Sequence, residues 1–203
     1  MQYLRLNEII KMVDETMNCA DVGADHGFVS IALGTKFGNS LFYAIENKKG
    51  PFEILNRNIN DANLPNVKCF LSDGLNSIDD KINTVIIAGM GGDNIISIVK
   101  KNIHKIKFID NFIIDAHSNI GGVITFFNSI GYEIKKNKLI KEKNKQYWII
   151  LLSKTSSKIF HTNTFYLNYV CALEDFRNVY SFDETLVQSL KDNNTFISLK
   201  ERK

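Results

Sequence analysis

The stretch ADVGADHGF, residues 20–28, contains the turn that decides the fold. An apolar run leads into it, Gly23 and Gly27 frame it, and Asp21, Asp25 and His26 lie within it. In a parallel α/β sheet, a strand that ends in glycine and passes into a helix exposes unpaired backbone amides, and ligands bind at that point. We therefore predict that these residues form a ligand-binding turn between a strand and a helix.

The rest of the chain alternates short apolar runs with longer segments of helical periodicity. Strands are predicted at 18–23, 41–46, 67–71, 83–88 and 110–115, and helices at 4–16, 27–37, 50–62, 93–104 and 119–130. Two further extended runs, at 132–140 and 146–153, are joined by a connection too short for a crossover helix, so they must pair as an antiparallel hairpin. The predicted fold is α/β and Rossmann-like, with a mostly parallel sheet that ends in an antiparallel hairpin, as in class I methyltransferases.

The composition changes after residue 154. The segment 155–203 contains neither glycine nor proline and has a weak helical periodicity. We predict a main domain at 1–154 and a small helical C-terminal extension at 155–203.

Composition and motif spacing exclude several classes of protein. The chain has 203 residues, 44% of them hydrophobic, and a net charge of +3, so it can bury a sizeable core. No run approaches the roughly 20 apolar residues of a membrane helix, and the segment MQYLRLNEIIK lacks the layout of a signal peptide. The three cysteines and four histidines are scattered, without the spacing of a disulfide framework or a metal site. We expect a cytoplasmic monomer with no metal and no membrane partner.

Acidic residues at the predicted strand ends favour a nucleoside ligand. Glu46 lies 23 residues after Gly23, where a carboxylate can accept hydrogen bonds from both hydroxyls of a ribose. Asp73, in the segment SDGL after the third strand, can accept from an adenine amino group, and Gly74 leaves the ring edge accessible. Asp25 places a negative charge where a pyrophosphate would be disfavoured. Glu46 alone would serve NAD equally well.

The segment IAGMGG, residues 87–92, ends the fourth strand with three glycines around one methionine. Such a loop has almost no side-chain bulk, so a flat ligand could lie against it. The alternative is a tight turn in which Met90 fills a gap, as methionine often does. Both interpretations stay open at this point.

A basic run, KKNKLIKEKNK, occupies residues 135–145 and contains six lysines and one acidic residue, Glu142. It is either a solvated hairpin or an edge that binds phosphate groups.

In their order and spacing, ADVGADHGF, YAIE, SDGL and IAGMGG resemble the bacterial tRNA (adenine-N1)-methyltransferases called TrmK. This family methylates the adenine at position 22 of tRNA with S-adenosylmethionine. The resemblance covers residues 1–153 and implies that the main domain binds S-adenosylmethionine and acts on tRNA.

The resemblance also implies roles for individual residues. The cofactor would contact residues at the ends of the first four strands, namely Asp21, Gly23, Asp25, His26, Glu46, Asn47, Asp73, Gly74, Ala88, Gly89 and Met90. Catalysis would involve Asp25, Met90, Gly91 and Asn119. On chemical grounds, and not from the resemblance, we predict that the Asp25 carboxylate stabilises the developing cation. Substrate contacts would come from Gly91, Gly92, Asn119 and Tyr147. The basic run, independently of the resemblance, adds Lys135, Lys136 and Lys138 as predicted substrate contacts.

The chain departs from the family pattern at several substrate positions. The family's Gln-Pro-Asn after the fifth strand is His117, Ser118 and Asn119 here, and its Tyr-Glu pair on the last strand is Tyr147 and Trp148. The family carries an arginine in the opening helix near Ile9, and whether Arg5 substitutes for it stays open. The helical extension is shorter than that of the family.

The chemistry of the motifs agrees with an endocyclic target. Methylation of an exocyclic amine commonly uses an Asp-Pro-Pro-Tyr type of segment where this chain has AGMGG, and carbon-5 methylation of cytosine needs a placed cysteine nucleophile. Adenine N1 needs neither, because its lone pair lies in the ring plane and proximity can supply most of the rate. Three alternatives remain: an NAD(P)-dependent oxidoreductase, a catalytically degenerate RNA-binding methyltransferase homologue and a small-molecule methyltransferase.

Overall fold

The computed structural model describes residues 4–142 and 145–155, so all but the first residue of the predicted C-terminal extension lies outside the described residues. Within this range the chain forms one seven-stranded sheet and five α-helices. The strands are β1 Cys19–Val22, β2 Phe42–Glu46, β3 Val67–Leu71, β4 Thr84–Met90, β5 Asn111–Ala116, β6 Tyr132–Glu142 and β7 Lys145–Lys154. The helices are α1 Leu4–Met12, α2 Phe28–Lys36, α3 Lys49–Asp61, α4 Gly92–Lys101 and α5 Ile120–Ser129, with a 3₁₀ helix at Ile103–Phe108.

The sheet has the order β3-β2-β1-β4-β5-β7-β6. Strands β1 to β5 are parallel, β7 is antiparallel to β5, and β6 is antiparallel to β7. The strand order reverses between β1 and β4, where parallel α/β sheets bind their ligands. This topology confirms the predicted mostly parallel sheet with a hairpin at one edge.

The two faces of the sheet are covered by different helices. On one face, Ile9 of α1, Leu33 of α2 and Leu55 of α3 are buried in one cluster with Ile113 of β5. Because successive strand residues point to opposite faces, Phe112 lies on the other face, where its ring meets that of Phe127 of α5 edge-on at 4.7 Å. Helix α1 therefore lies on the same face of the sheet as α2 and α3.

Two predicted helices end earlier than their periodicity indicates. Helix α1 stops at Met12 because the Asp14 carboxylate accepts from the Thr16 amide at 3.0 Å and from its hydroxyl at 2.6 Å, which fixes a turn. Helix α4 stops at Lys101, and the Asn102 side chain donates back to the Ile98 carbonyl at 3.0 Å before the 3₁₀ helix begins. Local side-chain hydrogen bonds thus override a continuing apolar pattern.

The hairpin of β6 and β7 extends beyond the end of its neighbour. Ile149 pairs with Asp115 near the carboxyl end of β5, while β7 begins four residues earlier, at Lys145. Residues 140–142 and 145–147, here called the projecting segment, therefore stand above the edge of the sheet at which β1 and β4 end. The hairpin forms a side wall for whatever lies at that edge.

The helices of the described ranges are short. The longest, α3, has 13 residues, and no helix in residues 4–142 and 145–155 is long and apolar enough to cross a membrane. Within the same residues, no group of three or more histidine, cysteine, aspartate or glutamate side chains is arranged to hold a metal ion.

Candidate active site

Two cavities open at the carboxyl edge of the sheet. The first cavity, of about 400 Å³, lies over the ends of β1, β2 and β4 and is bounded by the loop after β3 and by α4. The second cavity, of about 430 Å³, lies between α1, the start of α2 and the residues that end β4 and follow β5. Gly23, Asp25, Ala88 and Gly89 line both cavities, so ligands placed in the two would meet at these residues. Both volumes are typical of small-molecule sites.

Glu46 holds the loops of the first cavity together. Its carboxylate accepts from the backbone amides of Asn47 and Lys48, both at 3.0 Å, and from that of Asp25 at 3.3 Å. The side chain is buried at the end of β2 and lines the first cavity. An acidic residue predicted to bind a ribose thus also fixes the turns after β1 and β2.

The opposite wall of the first cavity is formed by the loop after β3. Asp73 is exposed there, and Gly74 is buried with a φ of 56°, which favours glycine. Asp73, Gly74 and Asn47, which are predicted to contact the cofactor, all line the first cavity.

Met90 of the segment IAGMGG fills a gap in a tight turn, and a flat ligand against this loop stays a prediction. Gly23 has a φ of 77°, and a Cβ at this position would collide with the terminal methyl group of Met90. Met90 fills that gap, accepts a hydrogen bond from the Asn94 amide at 3.3 Å, and lines the first cavity. A break in the β4 ladder between Ala88 and Met90 places Gly89 at the boundary of the two cavities.

Asp21 is buried at the wall of the second cavity. Its carboxylate accepts from the Ser30 hydroxyl at 2.9 Å, and only 6% of the residue is exposed. Burial raises the pKa of Asp21 to about 6, the nearby charge of Glu46 adds to the rise, and the bond from Ser30 opposes it. The Asp21 carboxyl group therefore keeps its proton to a higher pH than an exposed aspartate does.

Asp25 and His26 lie on the rim between the cavities. The Asp25 side chain is 66% exposed, and its carboxylate lies 3.0 Å from Nδ1 of His26. The His26 ring stacks on that of Phe28 at 5.8 Å, nearly parallel. Asp25 lines both cavities, whereas His26 lines the second alone, so the structure separates His26 from the predicted nucleoside contacts.

Three predicted catalytic or substrate residues take part in contacts that stabilise the fold. The Asn119 side chain caps α5 by accepting from the Gly122 amide at 3.2 Å, and its amide donates to Asp93 at 2.5 Å. Gly92 is buried, its amide donates to the Ser118 carbonyl at 3.0 Å, and a Cβ there would lie 2.9 Å from the Asn119 carbonyl. Gly91 is the N-cap of α4. None of the three is among the residues that line the two cavities, and their predicted contact with a base stays a prediction.

The predicted lysines occupy the edge strand β6. Lys135, Lys136 and Lys138 are exposed, as is Lys141. Lys136 pairs with Leu151 in the middle of the sheet, whereas Lys138 pairs with Ile149 at the level of the cavities. Exposed lysines also prevent an edge strand from pairing with another sheet, so exposure alone does not establish a binding role.

A cluster near the second cavity was missed by sequence reasoning. Asp115 and His117 received no role, and the position of Arg5 was left open. In the structure the Arg5 guanidinium lies against both residues and over the Tyr147 ring, and Arg5 and His117 line the second cavity. The available signal was an aspartate in the otherwise apolar strand NFIIDA.

Comparison with known families adds to this geometry. A family model described as a methyltransferase domain matches residues 3–150. A Mycoplasma genitalium protein named as a tRNA methyltransferase, MG248, is 28% identical over 137 residues, which is 66% of this chain and 61% of that protein. The chain thus spans about three fifths of the length of this curated relative.

Solved structures of the same fold include TrmK proteins. TrmK of M. capricolum, solved with S-adenosyl-homocysteine, has a TM-score of 0.71 and 22% identity, with 98% of this chain and 97% of that chain covered. The m1A22 tRNA methyltransferase TrmK of B. subtilis has a TM-score of 0.72 and 18% identity, with the same coverage. Streptococcus pneumoniae Sp1610, solved with S-adenosyl-L-methionine, has a TM-score of 0.75 and 20% identity, with 94% and 97% covered. These likenesses establish the Rossmann-like class I fold.

The raised pKa of Asp21 predicts a pH-dependent cost to folding. Because the folded protein holds this proton more tightly than the unfolded chain does, ionisation destabilises the fold, fully above about pH 6 and not below about pH 4. We expect Asp21→Asn to raise the free energy of unfolding at pH 7.5 by up to about 3 kcal/mol and to change it little at pH 4. Urea unfolding followed by circular dichroism measures both.

The matched control is Asp61→Asn, at an exposed position on α3, which should leave the stability within about 0.5 kcal/mol at either pH. A gain from Asp21→Asn that is the same at both pH values would contradict the assignment.

Proposed function

Since residues 3–150 match its model, this chain belongs to the methyltransferase domain family, and we propose that it methylates N1 of an adenine in tRNA with S-adenosylmethionine. By its resemblance to TrmK, the target is the adenine at position 22. The observation that supports this proposal most strongly is the meeting of two cavities at Gly23 and Gly89, where neither residue has a side chain to separate a methyl donor from a base.

The residues of the first cavity fit the nucleoside part of the cofactor. Glu46 offers a buried carboxylate to ribose hydroxyls, and Asp73 offers an acceptor to the adenine amino group. The terminal methyl group of Met90 lies so close to Gly23 that a residue with a Cβ does not fit at position 23. The cavity therefore has no side chain at this position. Asp25 disfavours a phosphate at the rim, which distinguishes this site from one for a dinucleotide.

The chain's own groups suit a reaction that moves a positive charge. When bound, the cofactor supplies an electrophilic methyl group on a sulfonium centre. Asp21 and Asp25 line the second cavity and give it a negative potential, which favours the sulfonium and then the methylated base that inherits its charge. No proton has to be removed from N1 before attack, so orientation and exclusion of water are the main tasks of the protein.

The second cavity supports a base that has left its helix. N1 lies on the pairing edge of adenine, so the nucleotide must be unpaired or extruded before it can react. The cavity is bounded by α1 and by Glu142, whose carboxylate accepts from the Leu4 amide at 3.1 Å and so connects α1 to the projecting segment. The wall that would enclose the base is thereby built from two elements.

The oxidoreductase alternative is wrong, because the family that matches the chain is a methyltransferase domain. A catalytically degenerate RNA-binding homologue remains an outcome of the experiment below. Its motivation was the altered residues His117 and Trp148.

The proposed function is tested by incubating the full chain with an unmodified tRNA transcript and methyl-labelled S-adenosylmethionine. Nucleoside digestion and mass spectrometry should find 1-methyladenosine, and mapping should place it at position 22. A transcript with guanine at that position is the control and should accept no label. Binding of the transcript without label transfer would favour the degenerate homologue, and label in another nucleoside would contradict the proposed target.

Replacing the Glu46 carboxylate should weaken cofactor binding. Glu46→Gln removes a charged acceptor, whose hydrogen bonds contribute roughly 1.5 to 3 kcal/mol each, so we expect the Kd for S-adenosylhomocysteine to rise at least about tenfold. Isothermal titration calorimetry measures this, with Glu53→Gln on the exposed part of α3 as the control. Equal affinities for the wild type and Glu46→Gln would remove Glu46 from the cofactor site.

The lysines at the level of the cavities should matter most for tRNA. We expect Lys138→Glu with Lys141→Glu to raise the Kd for tRNA at least about tenfold and to flatten the log-log salt slope by about 1 to 2. Lys68→Glu, on the opposite edge strand β3, is the control for one such charge reversal because it lies away from both cavities. Filter binding at several salt concentrations measures the slope, and equal slopes for all variants would assign the run to solvation.

A further inference from the structure

Arg5 of α1 is held at the second cavity by three side chains, one from β5, one from the turn after β5 and one from β7. Its Nε lies 3.4 Å from Oδ2 of Asp115, and its Nη1 lies 3.0 Å from Nε2 of His117. Its Cζ lies 4.9 Å from the centroid of the Tyr147 ring, and that ring lies 5.5 Å from the ring of His117. Nε, Nη1 and one face of the guanidinium thus have partners. The N–H groups of Nη2 can donate to a ligand in the cavity that Arg5 lines.

Asp115 has little besides Arg5 to balance its charge. The residue has no exposed surface, and neither carboxylate oxygen meets a hydrogen-bond donor in good geometry among the described residues. Burial raises the pKa of Asp115, while Arg5, His117 and the Gly89 amide oppose that rise. A buried carboxylate without a counter-charge is costly, so this strand residue strongly favours the observed position of Arg5.

His117 completes the arrangement only when it is neutral. Arginine carries no acceptor, so Nε2 of His117 must accept the hydrogen bond and the ring proton must reside on Nδ1. A protonated ring would lose its acceptor and place a second positive charge 3.0 Å from Arg5. Among the described residues, the charged or titratable groups that face His117 are Arg5 from α1, Asp115 from β5 and Tyr147 from β7, and Glu142 of β6 lines the same cavity.

We propose that Asp115 and His117 are positioning residues that hold Arg5 against the target nucleotide, and that they do so only while His117 is neutral. This inference rests on the proposed function, since it assigns the second cavity to the nucleotide. It assigns to Asp115 an indirect role, because its fully buried side chain acts through Arg5. It also assigns a role to His117, one of the positions at which the chain departs from TrmK. This role is to accept a hydrogen bond from Arg5.

A double-mutant cycle tests whether Asp115 acts through Arg5. We expect Asp115→Asn to lower the single-turnover rate of tRNA methylation about tenfold in the wild-type background and less than twofold in an Arg5→Gln background. The Kd for S-adenosylhomocysteine should change less than twofold, because Asp115 does not line the first cavity, and that binding also reports that each variant is folded. Equal rate losses in both backgrounds would overturn the inference.

The pH profile tests the role of His117. His117→Gln retains an acceptor that cannot gain a proton, so its rate of methylation should fall less than that of the wild type when the solution is acidified. The control is His104→Gln, in the 3₁₀ helix and exposed, which should keep the wild-type profile. A His117→Gln profile that matches the wild type would overturn the requirement for a neutral ring.

NMR spectroscopy reports whether Asp115 fixes Arg5 without requiring that the protein methylate tRNA. In ¹⁵N-edited NMR spectra at pH 8, the Arg5 Nε–H signal, identified by its loss in Arg5→Gln, should be resolved in the wild type and in His117→Gln but broadened in Asp115→Asn. If the wild type methylates no tRNA, the proposed function fails while this signal still decides whether Asp115 fixes Arg5. An unchanged signal in Asp115→Asn would overturn the inference whatever the activity.

Discussion

Three backbone amides converge on one buried carboxylate, that of Glu46, and the geometry of the site depends on this contact. The amides belong to the turns after the neighbouring strands β1 and β2, so these hydrogen bonds hold the two loops together beyond the ends of the paired strands. Asp25 adopts a left-handed φ of 49°, which is unfavourable for a residue with a side chain. The hydrogen bond that its backbone amide donates to the Glu46 carboxylate offsets this cost. The position of the rim between the two cavities follows from this contact.

Buried negative charge is the second organising feature. Asp21, Glu46 and Asp115 are all buried at or beside the cavities, and the fold accepts the cost of desolvating them. Amides balance Glu46, a hydroxyl balances Asp21, and an arginine balances Asp115. The carboxylates of Asp21, Asp25 and Glu142 line the second cavity together with one guanidinium, that of Arg5, and this excess of acidic groups suits the proposed cationic methyl donor and cationic product. Stability and the proposed chemistry make opposite demands on the same carboxylates.

The fold and the first cavity could be predicted because their signals are local in the sequence. Strand ends follow apolar runs, and the residues after them meet at one edge of a parallel sheet, so Glu46, Asp73 and Gly89 could be assigned without coordinates. The second cavity depends on which helix covers that edge and on how far the hairpin extends. Neither is a local property, and so Arg5, Asp115 and His117 could not be brought together from periodicity. Asn119 was assigned to the substrate by resemblance, whereas its side chain is used by the cap of α5 and by Asp93.

Among residues 4–142 and 145–155, the two cavities share four lining residues, Gly23, Asp25, Ala88 and Gly89. The remaining walls come from separate parts of the chain, since the first cavity uses the loops after β2 and β3 and the second uses α1, the residues after β5 and the hairpin. Substitutions at the second set can accumulate during evolution without disturbing the first. Under the proposed function, the same scaffold could therefore acquire a new methyl acceptor by substitution at positions such as 5 and 117 while its methyl donor stays constant.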